Sequence, residues 1–182
     1  SHCGVVGIKP TYGSVSRYGL IDLAMSFDQI GPIAKNVGDA ALLLDVIMEK
    51  GEYDAISLGS KKLSLKLTLP KKLSVGILNY KIEDKRIQNL IEKKLEEISS
   101  KLAWDVKKIS INHIDLAVST YYPIVYTEFF SATRRFDGRR YGKKIEEHCG
   151  SEVLRRILGG MEITKLEHGS KIYHMATKVR EL

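Results

Sequence analysis

The feature that most constrains the fold of this 182-residue sequence is an amphipathic helical pattern between two strand-like segments. The first segment, KKLSVGILNY, is rich in aliphatic residues, and the last, WDVKKISI, alternates apolar and polar residues. Between them, DKRIQNLIEKKLEEISSKL repeats apolar residues at helical spacing. This order predicts a βαβ unit over residues 71–113 with parallel strands. We therefore expect an α/β protein.

A second helix is predicted after Asn36, which is a suitable N-cap residue. Asp39 favours the first turn of that helix, and AALLLDVIM supplies its apolar face before Gly51 ends it. Upstream, GVVGIKPTYG and IGPIAK predict short extended segments, and Pro32 argues against a regular central strand in the second one. Residues 52–70 are interpreted as a connector that contains a candidate strand in LSLKLTL.

The chain from residue 114 onwards is predicted to be helical. The segment IDLAVSTYYPIVYTEFFSATRRF predicts a long, aromatic-rich helix that Pro123 can kink. SEVLRRILGGMEI predicts a helix that begins with a Ser cap and is weakened or interrupted at Gly159–Gly160. GSKIYHMATKVREL predicts a last helix.

The composition, 43% hydrophobic and 28% charged, is typical of a soluble globular domain. The longest apolar run, AALLLDVIM, is too short to span a bilayer, and the N-terminus lacks a signal-peptide pattern. Cys3 and Cys149 lie too far apart in sequence for a metal-ligand pair, and two thiols do not indicate a disulfide framework. These features predict a cytoplasmic protein.

The net charge of +7 is unevenly distributed. Residues 1–60 carry four basic against seven acidic side chains, so the positive excess lies in the remainder of the chain. One interpretation is a basic RNA-binding module over residues 134–156, which predicts strong and salt-sensitive RNA binding. The alternative is that the Lys-rich helices present ordinary solvated faces.

Individual side chains give weaker evidence for a catalytic, metal-binding or ligand-binding site. His2–Cys3 and His148–Cys149 have no recognisable third partner for nucleophilic catalysis, and the five His residues show no metal-ligand spacing. The doublets Arg134–Arg135, Arg139–Arg140, Lys143–Lys144 and Arg155–Arg156 can each direct one side chain inwards. An inward Arg beside a Tyr-rich helix suits a carboxylate ligand, whereas the alternative is a structural ion pair with Asp137, Glu147 or Glu152. The residues alone leave both possibilities open.

Longer strings carry a family resemblance. CGVVGIKPTYGSVSRYGL and SFDQIGPIAKNVGDAALLLDVI, followed by YYPIVYTEFFSATRRFDGRRYG, EVLRRILGG and KVREL, resemble the amidase signature family in content and order. The resemblance covers essentially the whole chain, although residues 52–115 match mainly in layout. Ser14 departs from the pattern, since many members have Arg there. Within the family the chain is similar to the glutamine-hydrolysing A subunits of tRNA-dependent amidotransferases; a stand-alone hydrolase of small amides is the alternative.

The resemblance implies a partial amidase-signature fold, a mixed β-sheet flanked by helices, in a single partial domain over residues 1–182. Residues 1–51 would hold the strand region that follows the nucleophile and a helix, and residues 114–182 would form a helical substrate-pocket region. The connector (52–70) and the βαβ unit (71–113) would lie between them. The family's nucleophilic Ser, its Ser with a cis peptide bond and its Lys base are expected upstream of Ser1, so we expect this chain alone to be inactive.

The resemblance also implies an activity: hydrolysis of glutamine to supply ammonia for converting Glu-tRNA(Gln) to Gln-tRNA(Gln). Matched residue by residue, Tyr121 and Arg156 would hold the α-carboxylate and α-amine of glutamine. If the match is shifted by one residue, Tyr122 and Arg155 are the alternatives. A third family contact, an Asp, would lie beyond Leu182. The pairing of Tyr121 with Arg156 suits an amino-acid substrate and would be unnecessary for a generic amide.

For cofactors and partners, the resemblance implies that this protein itself binds no cofactor and does not associate with a membrane. ATP and Mg²⁺ would be used by a partner B subunit, with or without a small C subunit, and tRNA would bind mainly through that partner. The sequence leaves open whether asparagine also serves as donor and whether Asp-tRNA(Asn) is also amidated.

Overall fold

The computed structural model describes residues 2–58, 63, 73–79, 82–102, 104–136, 138, 141–165, 167 and 170–182. The chain forms two compact units. The first combines Ser1–Leu65 with Leu116–Leu182, and the second spans Lys66–Asp115. The assignment of residues 1–182 to a single partial amidase domain remains a prediction.

The N-terminal part of the first unit is a short strand pair followed by a helix. Strand β1 (Val6–Gly7) pairs antiparallel with β2 (Ile33–Ala34). Helix α1 (Val37–Ile47) begins after Asn36, whose side-chain oxygen accepts a hydrogen bond from the backbone N–H of Asp39 at 2.9 Å. The predicted N-cap is therefore confirmed, and the helix ends before Gly51 is reached.

The second unit contains the predicted βαβ arrangement. Strand β3 (Ser74–Leu78) leads through helix α2 (Lys85–Leu102) to strand β4 (Asp105–Ile109), which runs parallel to β3. The register pairs Ser74 with Asp105 at one end and Leu78 with Ile109 at the other. The prediction of two parallel strands joined by a helix is confirmed. The candidate strand in LSLKLTL lies, except for Leu63, outside the described residues.

The remainder of the first unit is helical, as predicted. Its helices are α3 (Ala117–Thr133), α4 (Ile145–His148), α5 (Ser151–Ile163) and α6 (Lys171–Arg180). Helix α3 continues through Pro123 and packs against both α5 and α6. Its core contacts centre on Ile124 and Val125, which are fully buried together with Ile157 of α5.

One prediction about α5 is wrong, and one of two alternatives at its glycines is excluded. The N-cap residue is Gly150 rather than Ser151, which is the first helical residue. Gly159 and Gly160 do not interrupt the helix, because they lie where α5 packs most closely against α3. A Cβ atom at Gly160 would overlap the backbone carbonyl of Tyr126. Each glycine costs a helix roughly 1 kcal/mol relative to alanine, and here the close packing that glycine permits compensates for that cost.

The α/β prediction is confirmed. Strands in both orientations are present as two small two-stranded sheets, accompanied by helices. Among the described residues, no helix is both long and apolar enough to cross a membrane. Both cysteines are free thiols, with Cys3 exposed and Cys149 partly buried.

Candidate functional site

Aromatic and cationic side chains meet where α3 packs against α5. Helix α3 contributes Tyr121, Tyr122 and Tyr126, and α5 contributes Arg155 and Arg156; we call this group the tyrosine–arginine surface. The ring centroids of consecutive tyrosines are 5.4 Å and 5.3 Å apart. Such edge and tilted contacts restrict the rings at low cost, because the rings have few rotatable bonds. The surface is therefore an ordered set of hydrogen-bond donors.

Arg155 is committed to partners within the chain. Its Nε and Nη2 atoms donate to the two carboxylate oxygens of Glu152 at 2.9 Å and 2.7 Å, which is a bidentate pair. Nη1 donates to the hydroxyl of Tyr126, and the guanidinium lies over the rings of Tyr122 and Tyr126 at 5.6 Å and 5.3 Å. These contacts occupy all three nitrogens of the Arg155 side chain.

Arg156 keeps an unused donor. Its side chain is 20% exposed, and Nε donates to Glu152 Oε1 at 3.0 Å. Nη1 is buried and has no hydrogen-bond partner among the described residues. Burial lowers the pKa of Arg156, but hydrogen bonding with Tyr121 and Glu152 outweighs that effect and leaves the pKa raised. Because a buried, unpartnered guanidinium N–H is costly, this atom favours an added acceptor such as a carboxylate.

Glu152 connects the two arginines. Its Oε1 atom accepts hydrogen bonds from Arg155 and from Arg156. The hydrogen bonds from Arg155 are the main reason that the pKa of Glu152 falls to about 2. The carboxyl group is therefore ionised at neutral pH, and it fixes the Nε side of the Arg156 guanidinium while leaving Nη1 without a partner among the described residues.

The other basic doublets that the structure describes also have acidic partners. Arg134 pairs with Glu146 at 2.5 Å, Arg135 with Asp22 at 3.1 Å, and Lys144 with Glu147 at 3.4 Å. The alternative of an ion pair between Arg and Glu152 is thus observed, and Glu147 pairs with Lys144 rather than with an Arg. Asp137 and the doublet Arg139–Arg140 lie outside the described residues. Acidic neighbours reduce the local positive charge that an RNA-binding module would need.

One partly buried polar network was not found from the sequence. Glu128, the single acidic residue of α3, accepts hydrogen bonds from the backbone N–H and the hydroxyl of Ser26 at 2.9 Å and 2.6 Å. Its Oε1 atom also accepts from the hydroxyl of Tyr173 on α6 at 3.2 Å. A lone carboxylate in an otherwise apolar helix was the available signal, but its partner Ser26 is 102 residues away.

The cysteine–histidine pairs belong to no metal site among the described residues. Within the part of the chain that the structure describes, no group of three or more His, Cys, Asp or Glu side chains is arranged to hold a metal ion. His2–Cys3 and His148–Cys149 therefore remain sequence neighbours without an identified third group. The tyrosine–arginine surface is the stronger candidate site.

Comparison with known proteins agrees with the family resemblance. The sequence profile of the Amidase family matches residues 1–182. The chain is 49% identical over 184 residues to the A subunit of the glutamyl-tRNA(Gln) amidotransferase of Methanocaldococcus jannaschii. It is 48% identical over 185 residues to the corresponding protein of Methanothermobacter thermautotrophicus. These alignments cover 100% of this chain but only 42% and 40% of the relatives.

A solved structure shows the same relationship. The chain is similar to the crystal structure of the glutamyl-tRNA(Gln) amidotransferase A subunit from Thermotoga maritima, with a TM-score of 0.63 and 33% identity. That match covers 98% of this chain and 38% of the Thermotoga protein. The chain belongs to the amidase family, and it spans about two fifths of the length of its curated relatives.

Proposed function

We propose that this chain is part of the glutamine-hydrolysing A subunit of a glutamyl-tRNA(Gln) amidotransferase and that its tyrosine–arginine surface binds glutamine. The chain's similarity over its full length to proteins of that name supports this proposal. The observation that carries the site assignment is the buried Nη1 atom of Arg156, which has no hydrogen-bond partner among the described residues and lies near Tyr121.

The proposed role of Arg156 is to bind the α-carboxylate of glutamine. A guanidinium forms short, directional, charge-assisted hydrogen bonds to a carboxylate. Glu152 already holds Nε, so the substrate would use the remaining nitrogens. The hydroxyl of Tyr121 would donate to the same substrate end group. This assignment selects Tyr121 and Arg156 over Tyr122 and Arg155, since Arg155 is fully occupied by Glu152 and Tyr126.

The chemical step would use groups elsewhere in the complete protein. The family resemblance implies that a Lys base removes a proton, through a bridging Ser, from a nucleophilic Ser. The Ser oxygen attacks the side-chain amide carbon, the C–N bond breaks, and ammonia leaves with the transferred proton. Water then hydrolyses the acyl-enzyme to release glutamate. The residues of this chain would bind the end of glutamine that carries its α-amine and α-carboxylate.

The proposed setting is a cytoplasmic complex with a B subunit, with or without a small C subunit. The B subunit would activate Glu-tRNA(Gln) with ATP and Mg²⁺ and would contact most of the tRNA. Ammonia released from glutamine would then convert the activated glutamyl group to glutaminyl-tRNA. Carboxylates pair with Arg134, Arg135, Arg155 and Arg156. This pairing favours tRNA binding through the B subunit over an RNA-binding role for residues 134–156.

The test compares two nitrogen donors in the complete, assembled enzyme. Replacing Arg156 by Ala should lower kcat/KM for glutamine roughly 10- to 100-fold, because a hydrogen bond to a charged group is worth about 1.5–3 kcal/mol. Amidation driven by free ammonia should stay within twofold of wild type. Equal losses with glutamine and ammonia would overturn the assignment.

A further inference from the structure

The network around Glu128 lies on the same side of α3 as Tyr121. The two residues are seven positions apart, which is two helical turns, so their side chains project from one stripe of the helix. Glu128 is partly buried and accepts three hydrogen bonds, two from Ser26 and one from Tyr173. No other carboxylate lies on α3, so these carboxylate hydrogen bonds depend on one side chain.

The residue after Ser26 reaches the tyrosine–arginine surface. The ring of Phe27 packs against that of Tyr121, with centroids 5.5 Å apart and planes tilted by 56°. The guanidinium of Arg180 from α6 lies 5.5 Å from the Phe27 ring centroid. Phe27 thus packs against Tyr121 while it also contacts a cation from α6.

The segment around Phe27 is held on both sides. The carbonyl of Met25 accepts a hydrogen bond from the Tyr12 hydroxyl at 2.6 Å. The Asp28 carboxylate accepts from the backbone N–H groups of Leu23 and Ala24 at 2.9 Å and 3.1 Å. These bonds fix the loop internally, whereas the bonds from Ser26 to Glu128 attach it to α3.

We infer that Glu128 is a positioning residue for the glutamine site: it holds Ser26, which sets Phe27 against Tyr121. This inference rests on the proposed role of Tyr121 in binding glutamine. Glu128 itself touches no substrate. Its contribution is preorganisation, since a ring held in its bound orientation loses less conformational entropy when the ligand arrives. Without Glu128, the Ser26–Phe27 segment loses its two hydrogen bonds to α3, so that Phe27 is held less firmly against Tyr121 and Tyr121 samples more orientations.

Loss of this preorganisation should affect binding more than chemistry. Tyr121 contacts the end of glutamine that does not react, so its contribution is the same in the ground state and in the transition state. Removing such a contribution raises KM and leaves kcat nearly unchanged. A purely structural role for Glu128 predicts a different result, in which glutamine-driven and ammonia-driven activities fall together with the amount of folded enzyme.

The experiment measures glutaminase kinetics and ammonia-driven amidation in the complete, assembled enzyme. Glu128→Ala should raise the KM for glutamine by about tenfold, which is the lower end expected for lost hydrogen bonds to a charged group. The kcat and the ammonia-driven activity should stay within twofold. Glu128→Gln should give a smaller increase, because an amide oxygen can still accept from Ser26. Glu146→Gln, which removes a hydrogen-bonded carboxylate that contacts Arg134, is the matched control and should leave KM within twofold.

A double substitution tests the route through Phe27. Phe27→Ala alone should also raise KM, and adding Glu128→Ala to it should change KM by less than twofold further, since the two residues act in series. If the double substitution raises KM by the product of the two separate increases, the inference is overturned. An unchanged KM in Glu128→Ala would also overturn it. If Glu128→Ala does not fold, Glu128→Gln and Ser26→Ala carry the same test, because Ser26→Ala removes only the hydroxyl donor.

Failure of this inference can be separated from failure of the proposed function. If Tyr121→Phe and Arg156→Ala raise the KM for glutamine but the Glu128 variants do not, Glu128 is not a positioning residue and the glutamine site stands. If Tyr121→Phe and Arg156→Ala also leave KM unchanged, the proposed glutamine site is wrong, and the inference about Glu128 is overturned with it.

Discussion

Arg156 donates from Nε to Oε1 of Glu152 across 3.0 Å, one helical turn back along α5. The same oxygen accepts a second hydrogen bond from Arg155. Glu152 therefore orients the guanidinium that we assign to substrate binding and leaves Nη1 without a partner among the described residues. This arrangement predicts that Glu152, which would not itself contact glutamine, affects how well the tyrosine–arginine surface binds glutamine.

Replacing Glu152 by Gln should raise the KM for glutamine about threefold without changing kcat, because the Arg156 guanidinium loses its charged orienting partner. The side chain of Glu152 is 56% exposed, so we expect little effect on stability. Steady-state kinetics with glutamine checks this prediction, and Glu147→Gln, which disturbs the exposed pair with Lys144, is the control. A lower KM would show instead that Glu152 competes with glutamine for Arg156.

The close approach of α3 and α5 predicts a large difference between two glycines. A Cβ at Gly160 would overlap the Tyr126 carbonyl and lie 2.5 Å from Phe130 Cβ, whereas no atom of the described residues lies within 4 Å of a Cβ at Gly150. Gly160→Ala should lower the free energy of unfolding by about 1–3 kcal/mol. This cost should outweigh the roughly 1 kcal/mol that alanine gains in a helix interior, because the overlap involves backbone that cannot rotate away.

Thermal unfolding of the complete protein measures this effect. Gly150→Ser is the matched control, because it adds a side chain at the N-cap of α5, where Ser is well tolerated. Its midpoint should stay close to wild type while that of Gly160→Ala falls. Equal midpoints for the two variants would contradict the close helix contact.

The ion pair between Arg17 and Asp54 predicts sensitivity to acid. Their side chains are only 9% and 8% exposed, with Nε and Oδ2 3.3 Å apart, and the backbone N–H of Arg17 also donates to Asp54 at 2.8 Å. The Arg17 side chain is the main reason that the pKa of Asp54 falls from 3.8 to about 2. The resulting stabilisation is complete above the unfolded pKa and is lost as the pH falls from about 4 towards 2.

Asp54→Asn should therefore be less stable than wild type at pH 6, and its stability should fall less steeply between pH 4 and pH 2. Thermal unfolding midpoints across this range provide the measurement. Parallel curves for the two proteins would mean that Asp54 does not contribute through its ionised form.

Sequence patterns predicted the helices, strands and caps that depend on interactions between residues close together in the sequence. Alternation and helical spacing were sufficient for the βαβ unit, and Asn36 was recognised as an N-cap because the capping hydrogen bond spans only three residues. Local patterns left open whether Gly159–Gly160 weaken or interrupt α5, and the helix continues there because close packing against Tyr126 of another helix compensates for two helix-weakening residues. Helix propensity describes an isolated helix and contains no information about the helix that packs against it.

The residues of the candidate site were likewise only partly predictable from the sequence. The residues alone left open whether an Arg of these doublets binds a carboxylate ligand or forms a structural ion pair, and only the family resemblance pointed to Arg156 rather than Arg155. Tertiary contacts separate them, as Arg155 is fully paired and Arg156 keeps a nitrogen without a partner among the described residues. Glu128 and Ser26 escaped prediction because their contact joins positions 102 residues apart.

The most direct test of the central claim, that Arg156 binds the α-carboxylate of glutamine, uses a substrate without that group. In the complete enzyme, kcat/KM is measured for glutamine and for 4-aminobutanamide, which is glutamine lacking its α-carboxylate, in wild type and in Arg156→Ala. If Arg156 binds the α-carboxylate, Arg156→Ala lowers kcat/KM for glutamine roughly 10- to 100-fold and leaves kcat/KM for 4-aminobutanamide within twofold. Equal losses for both substrates would contradict it.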